Sequence, residues 1–366
     1  MMKPSRNKSQ RRAYSSVRSP APGRPTEYWI PNTASRPRRA FTLVELMVSM
    51  ALITLIASLV FSMTSSTASL WKRTTGSVEQ FRSANLAFEA MTRRLGQATL
   101  NTYWDYDSVS APKKYVRQSD LRFITGRMEA LMGVRNPRRP LHAVFFQAPL
   151  GTVSSATNFG GLENLLNTAG YYLEFNDDSA LRPGCINTTT VPPRYRYRLM
   201  EVVQPSDNLL VYRYTAGQPL YNRKDWFQNA VNIKPISYHV LAENVIALVI
   251  QPKLSKKDEQ TTGKVLTKDY NYDSSATVAD PDINPKNQLP PVVQVTLVAI
   301  DEPSAQRLAN GATPPSFDPL LDTLFVDTTK YDQDLVTLQQ TLNSQHIAYR
   351  VFTSSVSLRG AKWSRK

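Results

Sequence analysis

A run of 26 consecutive residues without a charge, Leu46–Trp71, constrains this chain more than any other feature of its sequence. A helix rises about 1.5 Å per residue, so about 20 such residues cross the roughly 30 Å hydrocarbon core of a bilayer. The 40 residues before Phe41 carry ten Lys and Arg against one acidic residue, Glu27. Because cations flanking a membrane helix stay in the cytoplasm, the sequence predicts a single-pass helix with residues 1–40 inside and everything after Lys72 exported.

The distribution of charge limits the classes of partner. The chain has 366 residues and a formal net charge of +15. Residues 1–40 supply +9 of this charge, which leaves +6 for residues 41–366. The basic extension is rich in Arg, Ser and Pro and has no apolar run, so we expect a disordered cytoplasmic leader. Nucleic acid is not expected as a partner of the remaining chain.

A single carboxylate lies near the start of the apolar segment. Glu45 is costly at the edge of a membrane helix unless it has a partner. The sequence Phe41-Thr-Leu-Val-Glu45-Leu, which follows Arg38-Arg-Ala40, resembles the type IV prepilin family, although that family normally has Gly at the position of Ala40. The resemblance implies that prepilin peptidase cleaves between Ala40 and Phe41 and methylates the new amine of Phe41. It also implies that Glu45 meets the amino terminus of a neighbouring subunit during assembly. A plain signal anchor with an incidental glutamate is the alternative.

Two later stretches narrow this resemblance. Residues 85–107 and the segment Leu289–Leu297, a double proline followed by β-branched residues, are similar to minor pseudopilin J of type II secretion and to the Verru_Chthon cassette protein C family. The resemblance implies a pilin-like fold in which a long helix packs on an antiparallel sheet.

After Lys72 the apolar residues first keep the spacing of a helix and then change to the spacing of strands. One apolar stripe is formed by Phe81, Ala84, Phe88, Met91, Leu95 and Ala98. This spacing predicts a helix over residues 41–100, with a soft point near Gly76 and the stripe packed on a sheet of the same chain. Residues 251–291 are polar and predict a long surface loop.

The remaining elements follow from composition. β-branched and aromatic runs predict strands at Leu141–Ala148, Tyr171–Phe175, Arg194–Val203, Leu209–Tyr214, Ile236–Leu241, Val245–Ile250, Val292–Ile300 and Ile347–Leu358. Short helices are predicted at Ser304–Asn310 and Asp334–Ser344. The predicted organisation is a leader (1–40), a membrane or filament-core half of the helix (41–71), an amphipathic half (72–100) and an exported α+β head (101–366).

The sequence contains no catalytic motif, so we do not predict an enzyme. HExxH, GxSxG and Walker patterns are missing, and the three histidines are interpreted as partly buried structural residues beside strands. The lone Cys185 excludes an intrachain disulfide and could be a free thiol or an intermolecular bridge. Alternating Arg and Tyr over residues 194–198 fits a strand with its arginines toward solvent better than a nucleic-acid site.

One acidic segment has the spacing of a calcium loop. Asp269, Asn271, Asp273 and Asp280 occupy positions 1, 3, 5 and 12 of that spacing, and oxygen ligands suit Ca²⁺. Ser274 stands where the sharp turn of such a loop requires Gly, so an ordinary hydrophilic loop is the other interpretation.

The sequence thus predicts a minor pilin or pseudopilin. Its expected location is the bacterial inner membrane, with the head in the periplasm, and its expected partners are prepilin peptidase and other pilins or pseudopilins. The expected role is structural, within a type II secretion or type IV pilus-like filament. A membrane-anchored periplasmic binding protein or enzyme that uses the same insertion signal is the alternative.

Overall fold

A computed structural model describes residues 41–161, 165–186, 189–215, 218–219, 224–233, 238–315 and 318–364. The predicted leader, residues 1–40, lies outside the described residues. The chain divides into two compact units, of which the first ends at Met63 and the second begins at Thr64.

The first element is a helix of 53 residues, α1 (Leu43–Leu95), which continues without a break through Gly76. It begins where the Thr42 hydroxyl accepts a hydrogen bond from the Glu45 N–H at 3.3 Å. Acidic Glu45 in its first turn and basic Arg93 and Arg94 in its last turn complement the helix dipole. The helix ends before the predicted Leu100 because the chain turns at Gly96 and Thr99 then pairs with Gln147 of a strand.

The rest of the described chain alternates strands with short helices. The strands are β1 (Tyr103–Tyr106), β2 (Tyr115–Gln118), β3 (Ile124–Arg127), β4 (His142–Pro149), β5 (Leu166–Asn176), β6 (Arg196–Gln204), β7 (Tyr214–Thr215), β8 (Gln218–Pro219), β9 (Tyr238–Glu243), β10 (Val245–Lys253), β11 (Tyr272–Asp273), β12 (Val292–Ile300) and β13 (Tyr349–Ser357). The further helices are α2 (Met128–Met132), α3 (Ala156–Phe159), α4 (Asp225–Ile233), α5 (Lys256–Thr262), α6 (Glu302–Leu308), α7 (Asp318–Thr323) and α8 (Tyr331–Ser344).

The strands form antiparallel sheets. A six-stranded sheet has the order β11-β3-β4-β5-β6-β9, a three-stranded sheet has the order β10-β12-β13, and β1-β2 and β7-β8 are separate hairpins. A long N-terminal helix followed by antiparallel sheets is an α+β, pilin-like arrangement, so the predicted fold class is confirmed.

The second half of α1 packs on the three-stranded sheet of its own chain. Ala84, Phe88, Met91 and Leu95 are buried in the main hydrophobic core. The Phe88 ring lies 6.0 Å from that of Phe352 on β13. The predicted packing of the apolar stripe on a sheet of the same chain is therefore confirmed. The opposite face of this sheet belongs to a second core cluster, to which α8 contributes Leu338 and Leu342.

Two further predictions of secondary structure are wrong. Residues 209–214 were expected to form a strand, but Leu210–Tyr212 is a single 3-10 turn whose Leu210 N–H donates to the Gln204 side chain at 3.2 Å. The segment 251–291 was expected to be a surface loop, but it contains α5 and β11. It also buries apolar side chains, because Leu254, Leu266, Tyr272 and Leu289 join the main core.

Several other elements were not predicted. The strands β1, β2 and β3 and the helices α2, α3 and α4 fall in stretches without a clear period. The predicted strand at 236–241 starts outside the described residues and appears as β9.

Candidate functional site

The residues predicted for processing and assembly lie at and before the start of α1. Ala40 lies outside the described residues, while Phe41 is 77% exposed two residues before the helix, and Glu45 lies in its first turn. The Glu45 side chain is exposed, and within the described residues no hydrogen bond or ion pair joins its carboxylate to another side chain. Its backbone carbonyl accepts a hydrogen bond from the Ser49 hydroxyl at 2.7 Å. Glu45 is therefore a charge without a partner inside its own chain's described part.

The apolar part of α1 exposes its side chains all around the helix. Residues 41–72 are all exposed, and they include Leu, Ile, Val, Met and Phe on every side. A helix that is apolar all round requires a lipid or protein environment on every side. Judged by length and composition, α1 is the one helix among the described residues able to cross a membrane.

The hydroxyl groups in this segment are compatible with such an environment. Thr54 donates to the Ala51 carbonyl at 2.9 Å, and Ser69 donates to the Ser66 carbonyl at 2.8 Å. Hydroxyls that bond back to their own helix need no water. Glu45 is then the one charged side chain among residues 41–71.

An ion pair joins the end of α1 to the six-stranded sheet. The Arg94 guanidinium contacts the carboxylate of Glu201 on β6, whose side chain is 5% exposed. The Tyr171 hydroxyl donates to the same Glu201 oxygen at 2.7 Å. The hydrogen bond to Glu201 raises the pKa of Arg94, and burial raises that of Tyr171 well above its usual range. Sequence reasoning missed this contact because Glu201 lies more than 100 residues from Arg94.

The structure separates the four residues of the predicted calcium loop into three groups. Asp269 accepts a hydrogen bond from the Asn271 amide at 2.7 Å. Asp273 lies on β11 and pairs with Arg122, whose Nε is 2.8 Å from its Oδ1. Asp280 accepts from Lys264 Nζ at 2.8 Å.

These contacts supply the carboxylates with cations from the chain itself. Burial opposes ionisation of Asp273, but the hydrogen bond from Arg122 lowers its pKa overall. Within the described residues, no group of three or more His, Cys, Asp or Glu side chains is placed to hold a metal ion. Calcium binding by these four residues stays a prediction.

The histidines differ in their surroundings. His142 is buried, with Nε2 3.1 Å from the Phe325 carbonyl and Nδ1 accepting the Ile250 N–H at 3.1 Å. Burial lowers its pKa to about 3, so it is a neutral structural residue as predicted, although it is fully buried and not partly buried. His239 and His346 are exposed, so the interpretation as partly buried residues is wrong for these two.

The alternating Arg and Tyr residues of β6 also depart from expectation. Tyr197 packs with its ring 4.9 Å from Phe175, as a strand with one aromatic face requires. Among the predicted solvent-facing arginines, Arg194 is 54% exposed, but Arg196 and Arg198 do not point to solvent. Arg196 pairs with Glu302 at 2.9 Å, and Arg198 pairs with Glu243 at 3.0 Å, with the two arginine side chains 6% and 0% exposed.

The comparisons with known proteins concern the N-terminal segment. Neither the comparison with curated proteins nor that with solved structures gave a match. Residues 35–61, which include Phe41, Glu45 and the start of α1, match the family model described as the prokaryotic N-terminal methylation motif. The chain therefore carries a prepilin-type N-terminal methylation motif, followed by an apolar helix that fits membrane anchoring.

Proposed function

We propose that this chain is a structural subunit of a type IV pilin-like filament, stored in the inner membrane and processed before assembly. The observation that carries the proposal is the position of Glu45. It is the single charge in the apolar part of a helix whose first residues match the N-terminal methylation motif. Its cost in an apolar environment requires a cation from outside the described chain.

The processing step supplies such a cation. Cleavage between Ala40 and Phe41 creates a new amine four residues before Glu45, and methylation of an amine keeps its positive charge. Within one helix, Glu45 lies in the first turn, where its own backbone N–H bonds to Thr42. The amine of a neighbouring subunit, placed beside Glu45, neutralises the carboxylate and sets the axial register between two helices.

The second half of α1 supports a mechanical role for the helix. It is held to its own head by the buried stripe of Phe88 and Met91 and by the Arg94 and Glu201 pair. Extraction of the apolar half from the membrane therefore carries the head with it. Loss of lipid contact is offset by packing of the apolar half against the helices of neighbouring subunits.

The finer assignment, also part of this proposal, is a minor subunit similar to pseudopilin J of type II secretion or to the Verru_Chthon cassette protein C family. It rests on residues 85–107 and on the proline break at Pro290-Pro291 that precedes β12. The proposed partners are prepilin peptidase and other pilins or pseudopilins. The proposed location has residues 1–40 in the cytoplasm and the head in the periplasm, and no enzymatic activity is assigned to the head.

The test compares filament incorporation of Glu45 variants in a host that assembles the filament. Glu45→Gln keeps the shape of the side chain and removes its charge, and Glu45→Asp shortens its reach. Glu79→Ala is the matched control, because Glu79 lies on the same helix with its side chain 72% exposed, outside the apolar part.

We expect all variants to enter the membrane fraction, Glu79→Ala to co-purify with sheared filaments like the wild type, Glu45→Gln to be lost from them and Glu45→Asp to be intermediate. Equal incorporation of Glu45→Gln and the wild type would refute the role of the carboxylate. A wild-type protein that stays in membranes and never enters filaments would favour a membrane-anchored binding protein or enzyme.

A further inference from the structure

The hairpin β1-β2 presents aromatic side chains to solvent, outside both hydrophobic core clusters. Of the six Phe, Trp and Tyr side chains that are exposed in the described chain after residue 95, four lie on this hairpin: Tyr103, Trp104, Tyr106 and Tyr115. None of the four belongs to either core cluster. Exposed aromatic groups that are clustered rather than scattered mark a binding surface.

Strand pairing aligns an aromatic face on this hairpin. Trp104 is opposite Arg117 and Tyr106 is opposite Tyr115, so these four side chains share one face. The two tyrosine rings are stacked with centroids 4.7 Å apart, and their hydroxyls are hydrogen-bonded at 2.9 Å. The Arg117 guanidinium lies 5.6 Å from the Trp104 ring centroid. The face is thus ordered before any ligand arrives, while the Trp104 side chain remains 66% exposed.

A cavity of about 380 Å³ adjoins Trp104, which is within the range of small-ligand sites. Its lining includes Trp104, Arg117, Gln118, Asn284 and Lys286. Arg117 Nη1 donates to the Lys362 carbonyl at 3.0 Å, which fixes the guanidinium. Within the described residues, neither Nε nor Nη2 of the Arg117 guanidinium, nor Nζ of Lys286, has a hydrogen-bond partner. The cavity therefore combines an aromatic ring with hydrogen-bond donors that have no acceptor in the described chain.

This combination suits a sugar that carries an acid group. The C–H groups on one side of a pyranose ring are weakly positive, and they stack on the negative face of an aromatic ring. The hydroxyl and carboxylate oxygens of such a sugar accept hydrogen bonds from planar amide and guanidinium donors. The cavity lining contains two cations, Arg117 and Lys286, and one carboxylate, Asp107. The Oδ1 atom of Asp107 already accepts hydrogen bonds from the backbone N–H groups of Lys113 and Lys114.

The same observations favour a nucleic-acid strand less than an acidic sugar as the ligand of this cavity. Such a strand needs a groove of cations that follows its backbone for several nucleotides. Here the two cations lie in one compact cavity, and Asp105 and Asp107 lie on or beside the same hairpin.

We propose that the cavity beside Trp104 binds an acidic oligosaccharide, with Trp104 as the stacking platform and with Arg117 and Lys286 donating hydrogen bonds to the carboxylates of the sugar. The head would then be a glycan-binding module. This inference depends on the head alone, so it stands or fails separately from the proposed role in a filament.

The experiment is calorimetric titration of the detergent-solubilised full chain with trigalacturonate, with maltotriose as the uncharged probe of the same size. We expect trigalacturonate to bind and maltotriose to bind at least about tenfold more weakly. Trp104→Ala should weaken trigalacturonate binding about tenfold, with Trp104→Phe in between. Lys286→Ala should weaken it as well, whereas Lys256→Ala, the control at an exposed lysine that does not line the cavity, should bind like the wild type.

Melting temperatures of the variants accompany the titrations, and they should equal that of the wild type because Trp104, Lys286 and Lys256 are exposed and lie outside both core clusters. No binding of trigalacturonate up to about 10 mM would overturn the proposal. Binding that Trp104→Ala leaves unchanged, equal binding of the two sugars, or displacement of trigalacturonate by a single-stranded oligonucleotide at lower concentration would overturn it too.

Discussion

The packing of α1 on its own head predicts a large effect for a change at Phe88. This side chain is 6% exposed and lies against Phe352 of β13. Leu86 is two residues away on the same helix and is 57% exposed. Phe88→Asp and Leu86→Asp therefore introduce the same charge into the same helix, once toward the sheet and once toward solvent.

The expected magnitudes follow from burial. Removal of a buried Phe side chain costs about 3–5 kcal/mol of the free energy of unfolding, and an unpaired carboxylate in its place adds about 1–3 kcal/mol. We therefore expect Phe88→Asp to cost about 5 kcal/mol, a large share of the roughly 5–15 kcal/mol of a typical domain. Leu86→Asp should cost about 0.5 kcal/mol, the difference in helix propensity.

The assay is thermal unfolding of a fragment that begins at Lys72 and so lacks the apolar part of α1. The residues from Thr64 onward form one compact unit, which supports such a fragment. Phe88→Asp should lower the melting temperature by at least about 10 °C, Phe88→Ala by less, and Leu86→Asp by only about 1–2 °C. Equal melting temperatures for the two Asp variants would show that the stripe faces a partner instead of its own sheet.

Four further substitutions test other parts of the fold. Glu201→Ala should lower the free energy of unfolding, measured in urea, by about 2 kcal/mol. The Arg94 guanidinium and the Tyr171 hydroxyl both donate to Glu201 and would lose their acceptor. Gly170→Ala should cost about 1–3 kcal/mol, since the new Cβ would lie 2.2 Å from the Phe145 ring, whereas Gly76→Ala has open space and should stabilise α1 slightly. Burial lowers the pKa of His142 to about 3, below its usual 6.5, so the unfolded chain takes up the proton first. Stability should then fall as the pH decreases from about 6.5 toward 3, by about 1.4 kcal/mol per pH unit, and His142→Gln should show a shallower slope in unfolding measured across that range.

The long helix was predictable because its signals are local. The uncharged run and the spacing of Phe81, Ala84, Phe88 and Met91 indicate both halves of α1 without knowledge of anything they contact. Strand β12 was predictable for the same reason, since a double proline ends the preceding segment and β-branched residues follow.

The wrong predictions concern residues whose burial is determined by partners far away in the sequence. Arg196 and Arg198 alternate with tyrosines as a solvent-facing row would, but they are buried because Glu302 and Glu243 arrive from other elements. Segment 251–291 is polar by composition, yet the Tyr272 hydroxyl donates to the Gln288 carbonyl at 2.8 Å, and the buried Tyr272 ring holds the segment in the core.

The predicted site residues also differ in whether local sequence is enough to place them. The motif around Phe41 and Glu45 is recognisable from residue types and spacing alone, and residues 35–61 match a family model. The calcium-loop spacing was also recognisable, but spacing along the chain does not show that Lys264 and Arg122 approach the carboxylates.

Processing of the chain as a prepilin is read directly from its mature amino terminus. Intact mass and N-terminal sequencing of protein extracted from membranes should give a chain that starts at Phe41 and carries one additional methyl group on its amine. The same measurement with the peptidase gene deleted should give the unprocessed chain. A mature protein that starts after Met63, or one that keeps residues 1–40 when the peptidase is present, would contradict the account.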